Sequence, residues 1–264
     1  VIASGKIRLR DTNLLTLTEE ALQKIRGNQI SMVFQEPLTA LNPVFTIGDQ
    51  IMEAIQVHEK VSENERRRRC IGLLTDVGIP SPEARLKDYP HQLSGGQRQR
   101  VMIAMALACH PAVIIADEPT TALDVTVQAQ ILKLMKSIHH ASAMSVLYIT
   151  HDLGVVSTVA DRVYVMYAGL IVEQGTRDQV FQLPRHPYTR GLLASLPSRS
   201  KRGKRLYSIP GSVPNPAFKP KGCPFHPRCS AAIAKCAVDF PGMCDYGHGH
   251  LSRCPPVYSR ERQE

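Results

Sequence analysis

Hydrophobic and polar positions follow two periods along this chain, and the change from one to the other marks its elements. Lys6 to Leu9 alternate in the manner of an edge strand. Thr18-Glu19-Glu20-Ala21 reads as a helix start, a threonine cap with acids in the first turn, running to Arg26 before Gly27. Ile30 to Phe34 is a short apolar strand ending at Gln35-Glu36-Pro37, where the proline stops the ladder. From Thr46 to Ala108 the period is helical: Ile47, Ile51, Ala54 and Ile55 share one face, as do Ile71, Leu74 and Val77. Arg66 to Arg69, beside Glu63 and Glu65, read as a solvated helix face. Ala112 to Glu118 is a continuous apolar run closed by two acids, the pattern of a parallel strand covered on both faces. A helix is predicted over 125–140 and a strand over Ser145 to Thr150. A strand pair follows, Val163 to Met166 and Leu170 to Glu173 around Ala168-Gly169, then short helices over 176–183 and 187–196. The class is α/β with a mostly parallel sheet.

At 264 residues the chain can build one sizeable core and a smaller appended region. It has no run of about 18 apolar residues. Val1 to Lys6 lack the basic segment and apolar core of a signal peptide. The expectation is a soluble intracellular protein that can still sit on a membrane protein. The net charge of +9 is unevenly placed: residues 1–183 hold 18 Lys+Arg against 19 Asp+Glu, and residues 184–264 hold 14 against 4. That shift marks a boundary near 184. The basic tail lacks interleaved aromatics or a nucleic-acid motif, so no nucleic-acid partner is expected.

Candidate chemistry lies at three turns. Ser94-Gly95-Gly96-Gln97 opens the helix that carries Val101 to Ala108. Two glycines let an anion approach the main chain, and a helix start offers unpaired N–H groups and a positive dipole end. The plainer reading is an N-cap. Asp117 and Glu118 end a strand where open α/β sheets bind ligands. One carboxylate there can hold Mg²⁺ and the other can polarise water; the plainer reading is a solvated strand terminus. His151 ends the next strand and can sit beside them. Ser4-Gly5-Lys6 is not a phosphate loop, because Ile7 follows the lysine and no earlier glycine fits; no other segment supplies that motif.

The order of Gln35, Leu93-Ser94-Gly95-Gly96-Gln97, Val113 to Glu118, Asp124 and His151 resembles the ATP-binding cassette (ABC) ATPases: Q-loop, signature, Walker B with its catalytic glutamate, D-loop and switch histidine. Finer marks are similar to the ATPase subunits of oligopeptide/dipeptide importers, a group that includes nickel importers. These are Gln35-Glu36-Pro37 with Leu41-Asn42-Pro43, Tyr89-Pro90-His91-Gln92, His186-Pro187-Tyr188-Thr189 and the C-terminal cysteines. The resemblance implies a P-loop NTPase-like ABC ATPase domain over 1–183, with a helical signature subdomain over about 38–110. An importer-type C-terminal region over 184–264 follows, with a connector at 197–222 and a cysteine cluster at 223–254.

By the same resemblance Asp117 anchors the Mg²⁺ shell, Glu118 activates the attacking water and His151 contacts the γ-phosphate. Gln35 senses Mg²⁺ and couples to the membrane subunits. Ser94, Gly95, Gly96 and Gln97 bind the ATP held by an opposing subunit, which Asp124 contacts. The implied partners are a second, unlike ATPase subunit, two transmembrane permease subunits and, indirectly, an extracytoplasmic solute-binding protein. The implied place is the cytoplasmic face of the inner membrane, as a peripheral subunit importing peptides or a related small solute. The family's phosphate loop is absent from the chain, which is expected to be an N-terminally truncated version of a longer ATPase. The alternative is a catalytically incomplete partner that lends only its signature to another subunit's ATP.

Seven cysteines divide the same way. Cys70 and Cys109 sit in helical contexts as inert core thiols. Cys223, Cys229, Cys236, Cys244 and Cys254 crowd into 32 residues. In an intracellular protein that density favours a metal or cluster over disulfides. The spacings lack the paired C-x2-C of zinc ribbons, four thiolates suit a [4Fe-4S] centre, and reduced structural thiols are the third reading. The importer resemblance implies the [4Fe-4S] cluster, on Cys223, Cys229, Cys236 and Cys254, with Cys244 extra.

Overall fold

The computed structural model describes residues 4–121, 123–197, 206–215 and 217–255. The connector expected at 197–222 therefore lies partly outside the described residues. The chain divides into two compact units, Val1–His151 and Asp152–Glu264.

The first unit begins with a hairpin of β1 (Arg8–Leu9) and β2 (Thr12–Asn13). The alternation from Lys6 yields only two strand residues, because the chain turns at Arg10 with a left-handed φ of 52°. α1 (Glu19–Gln23) is capped by Thr18, whose hydroxyl accepts from the Ala21 N–H. It stops short of Arg26, where the backbone wraps around Gly27 at φ 81° and the Gly27 N–H reaches the Ile30 carbonyl. β3 (Ile30–Val33) leads to α2 (Pro37–Ala40), in which Pro37 takes the first helical position, where no N–H is needed. α3 (Ile47–Gln56), α4 (Glu63–Asp76), α5 (Pro82–Arg85) and α6 (Gly95–Leu107) follow. β4 (Val113–Asp117), α7 (Val125–Ala141) and β5 (Ser145–Ile149) complete the unit.

β3, β4 and β5 form a parallel sheet in that order, with Val33 opposite Ala116 and Ala116 opposite Tyr148. One face joins a core built from Ile47, Ile51, Leu74, Ile103, Ile114 and Ile131. The expectation of cover on both faces is corrected: Leu147 and Ile149 on the other face are 51% and 47% exposed. The described helices α3, α4, α6 and α7 bury their apolar residues with the first face. The arginine run is also not wholly solvated. Arg69 bonds Glu59 and the Ala108 carbonyl, and Arg66 the Val61 carbonyl, so two of the four guanidiniums tie the helix to its neighbours.

The second unit opens with α8 (Leu153–Val159), which the apolar pattern did not announce. β6 (Arg162–Tyr167) and β7 (Leu170–Thr176) pair through Ala168-Gly169, both at positive φ, as a two-residue hairpin turn requires. α9 (Arg177–Gln182), α10 (Pro187–Ala194), α11 (Ala234–Val238), β8 (Cys244–Asp245) and β9 (Leu251–Ser252) follow. The antiparallel order is β6-β7-β9-β8. The charge change at 184 thus falls inside this unit, where β7 pairs with β9 across it. Val163, Val165, Tyr167, Val172, Val180 and Phe225 form its core. Among the described residues no helix is long and apolar enough to cross a membrane.

Candidate active site and cysteine cavity

Parallel order brings the carboxyl ends of β3, β4 and β5 side by side, and the polar residues just beyond them converge on Glu118. Its N–H is held by the Ile149 carbonyl at 2.8 Å, and its φ of 43° is a left-handed conformation that costs a non-glycine residue energy. The carboxylate oxygens are shared among three side chains. Oε1 lies 2.7 Å from His151 Nδ1, and Oε2 accepts from Thr121 Oγ1 at 2.7 Å and Gln35 Nε2 at 3.1 Å. The His151 and Thr121 hydrogen bonds hold the Glu118 carboxyl below its ordinary value of 4.5, against a smaller opposing effect of burial. The group is an ionised, oriented carboxylate, the form a general base needs. Asp117 ends β4 opposite Ile149 and is half-buried.

Thr121 is the member of this group that sequence reasoning gave no role. The readable signal is Thr120-Thr121, which follows the acidic pair across Pro119.

The Ser94 turn is a reciprocal cap. The Ser94 hydroxyl accepts from the Gln97 N–H at 3.3 Å, and the Gln97 side-chain oxygen accepts from the Ser94 N–H at 2.9 Å. Its two glycines differ in their surroundings. A Cβ on Gly95 would meet only Leu123, at 3.9 Å, so that backbone is open. A Cβ on Gly96 would lie 2.7 Å from Val127 Cγ1, so close packing against α7 also requires a glycine here. Asp124 caps α7, accepting from the Thr126 and Val127 N–H groups at 3.0 Å. Among the described residues no hydrogen bond joins the Ser94–Gln97 turn to the Glu118 group.

In the second unit, Cys223, Cys229, Cys236 and Cys254 line one cavity together with His186 and Phe225. Gly222, at φ 65°, makes this possible: a Cβ there would sit 2.4 Å from the Cys236 carbonyl, which itself accepts from the Cys223 N–H. Burial pushes the Cys223 thiol up, and Cys236, Cys229 and Cys254 push the same way. Among the described residues the seven cysteines form no disulfide. Cys244 lies in β8 opposite Ser252. Cys70 and Cys109 are buried, and burial takes the Cys70 thiol to about 12, which makes it inert.

Comparison with known proteins bears on both regions. The ABC transporter family model matches residues 2–121, and the model of the oligopeptide/dipeptide transporter C-terminal region matches 172–236. The oligopeptide transport ATP-binding protein AppD of Bacillus subtilis is 52% identical over 253 residues, covering 96% of this chain and 77% of its own. The chain belongs to the ATP-binding proteins of ABC-type peptide transporters. The dipeptide transport ATP-binding protein DppD of Bacillus subtilis is 50% identical, covering 96% of this chain and 76% of its own. Among solved structures, the ATP-binding cassette MJ0796, in a dimeric post-hydrolysis state bound to ADP and Pi, matches with TM-score 0.59 and 30% identity. The match covers 66% of this chain and 74% of that one. cbiO1 of Clostridium perfringens matches with TM-score 0.59 and 30% identity, covering 69% of each chain.

Within this ABC ATPase the sequence-predicted residues fall into two sets in the first unit and one in the second. Gln35, Glu118 and His151 are in direct contact, with Asp117 next in the chain. Ser94, Gly95, Gly96, Gln97 and Asp124 sit at the neighbouring starts of α6 and α7. The four cysteines share their cavity.

Proposed function

We propose that this chain is the ATP-hydrolysing subunit that powers peptide import across the cytoplasmic membrane, working at its cytoplasmic face beneath two transmembrane permease subunits. The observation that supports it is the ionised Glu118, placed by a strained backbone between Gln35 and His151 at the end of a parallel strand. In this reading Glu118 takes the proton of the attacking water and His151 contacts the γ-phosphate. Gln35 reports nucleotide state to the permease. Asp117 and Gln35 offer the oxygen donors a hard divalent cation takes, and Mg²⁺ there would neutralise phosphate charge. Ser94 to Gln97 meet the nucleotide of a second, unlike ATPase subunit, which Asp124 also touches. The ATPase domain is read as 1–183 and the importer-type region as 184–264. The test is phosphate release by the whole importer in vesicles. Glu118→Gln is expected to abolish hydrolysis while nucleotide binding persists; hydrolysis at the unmodified rate overturns the reading.

The second unit is read as the holder of a [4Fe-4S] cluster on Cys223, Cys229, Cys236 and Cys254. What supports it is the shared cavity and the chemistry of four thiols. Among the described residues no three His, Cys, Asp or Glu side chains surround a single-ion position. A four-iron cluster does not need one, since each thiolate binds a different iron. Protein purified without oxygen is expected to be brown, with the absorbance lost in Cys229→Ser; colourless, iron-free protein overturns this.

A further inference from the structure

Thr121 is the contact of Glu118 to which the reading above gives no part, and it differs in kind from the other two. Glu118-Pro119-Thr120-Thr121 is a single turn, closed by the Thr121 N–H on the Glu118 carbonyl at 3.1 Å. Pro119 fixes φ at the second position of that turn. Hydroxyl and carboxylate thus ride on the two ends of one stiff piece of chain, where Thr121 Oγ1 donates to Glu118 Oε2 at 2.7 Å. Gln35 Nε2 shares that oxygen at 3.1 Å and His151 Nδ1 meets Oε1 at 2.7 Å, but they come from 83 and 33 residues away. Each stands just beyond the end of a neighbouring strand, β3 or β5, and the His151 side chain is 77% exposed. The roles proposed for Gln35 and His151 turn both of them toward the nucleotide. A glutamate side chain released by both can rotate freely unless something on its own turn holds it.

We infer that Thr121 is a positioning residue, whose hydroxyl keeps the Glu118 carboxylate aimed at the attacking water while Gln35 and His151 engage the nucleotide. The inference rests on the reading of Glu118 as the general base. Oε2 stays with the hydroxyl, and Oε1, released by His151, takes the proton. As that proton leaves the water, the water oxygen bonds the γ-phosphorus. The bond from that phosphorus to the bridging oxygen breaks, and ADP departs with the electron pair. Thr121 touches no reacting atom; it acts through the orientation of Glu118.

The experiment is steady-state hydrolysis by the whole importer in vesicles, with thermal unfolding alongside. Thr121→Val keeps the branched shape and loses the donor, whereas Thr121→Ser keeps the donor and loses the methyl group. Thr121→Val is expected to lower kcat about tenfold with KM for ATP unchanged, the mark of an interaction that matters only at the transition state. Thr121→Ser should hydrolyse within about twofold of the unmodified importer, even where its unfolding temperature falls. The reverse order, with Ser impaired and Val active, marks a role in shape and overturns the inference. Equal losses in Ser and Val, or a raised KM at unchanged kcat, overturn it as well. Full activity in Thr121→Val beside an inactive Glu118→Gln overturns this inference alone and leaves Glu118 as the base. Full activity in Glu118→Gln removes both.

Discussion

Two glutamates, one in each unit, show how differently one side chain is used. Glu118 follows a strand at a strained φ of 43° and is held by the side chains of Gln35, Thr121 and His151. Glu173 lies inside β7 with no exposed surface and is held by two backbone N–H groups and the ring of His250. Side-chain partners can let go when another ligand arrives, whereas backbone partners can leave only if the chain moves. The first arrangement suits a group that does chemistry, the second a group that fixes architecture. The partners, more than the charge, distinguish them.

That contrast breaks most sharply at Glu118 itself. Glu118→Gln is expected to cut hydrolysis by the assembled importer about 10²- to 10⁴-fold, the worth of a general base, with unfolding changed by less than about 0.5 kcal/mol. The reciprocal change is Glu173→Ala, which strands two buried N–H groups and the His250 ring. A stability loss of about 3 kcal/mol is expected in urea unfolding, with hydrolysis per folded molecule retained. A large loss of hydrolysis without instability at Glu173 would erase the distinction.

The histidine partners sharpen it further. His151 holds the Glu118 carboxyl below 4.5, so Glu118 stays ionised as pH falls past the ordinary carboxylate value. His151→Ala should therefore move the acid limb of the hydrolysis profile upward, toward 4.5. Glu59 marks the weakest point of the scale, a half-exposed carboxylate that the Arg69 hydrogen bond holds below its usual value. Glu59→Gln is expected to cost under about 1 kcal/mol at neutral pH. Because the folded value is the lower one, that contribution is present above 4.5 and fades as pH falls through the folded value. Unfolding at neutral and acidic pH measures it.

Much of the first unit is legible in the chain because its signals are local. Ser94 and Gln97 are three residues apart, so their reciprocal cap can be read directly. The apolar run closed by Asp117 and Glu118 announces its strand and its acids together. The convergence of Gln35 and His151 on Glu118 spans 83 and 33 residues; adjacent strand ends anticipated His151, and only family resemblance anticipated Gln35. Glu173 was not legible at all: its acid looked like a strand's polar end, and burial comes from register with Ser252 and from the distant His250. α8 escaped notice because Gly154, Val155, Val156, Thr158 and Val159 are poor helix formers. What starts it is the Asp152 carboxylate, which accepts from Gly154 and Val155.

The contact of Gly96 with Val127 has a mechanical consequence. At 2.7 Å from the place a Cβ would take, Val127 locks the start of α6 against α7, and Arg100 reaching Gln130 at 3.2 Å adds a second bolt. Ser94 and Asp124, the caps of those two helices, are therefore teeth of one rigid jaw. A partner that displaces Asp124 must carry Ser94 with it.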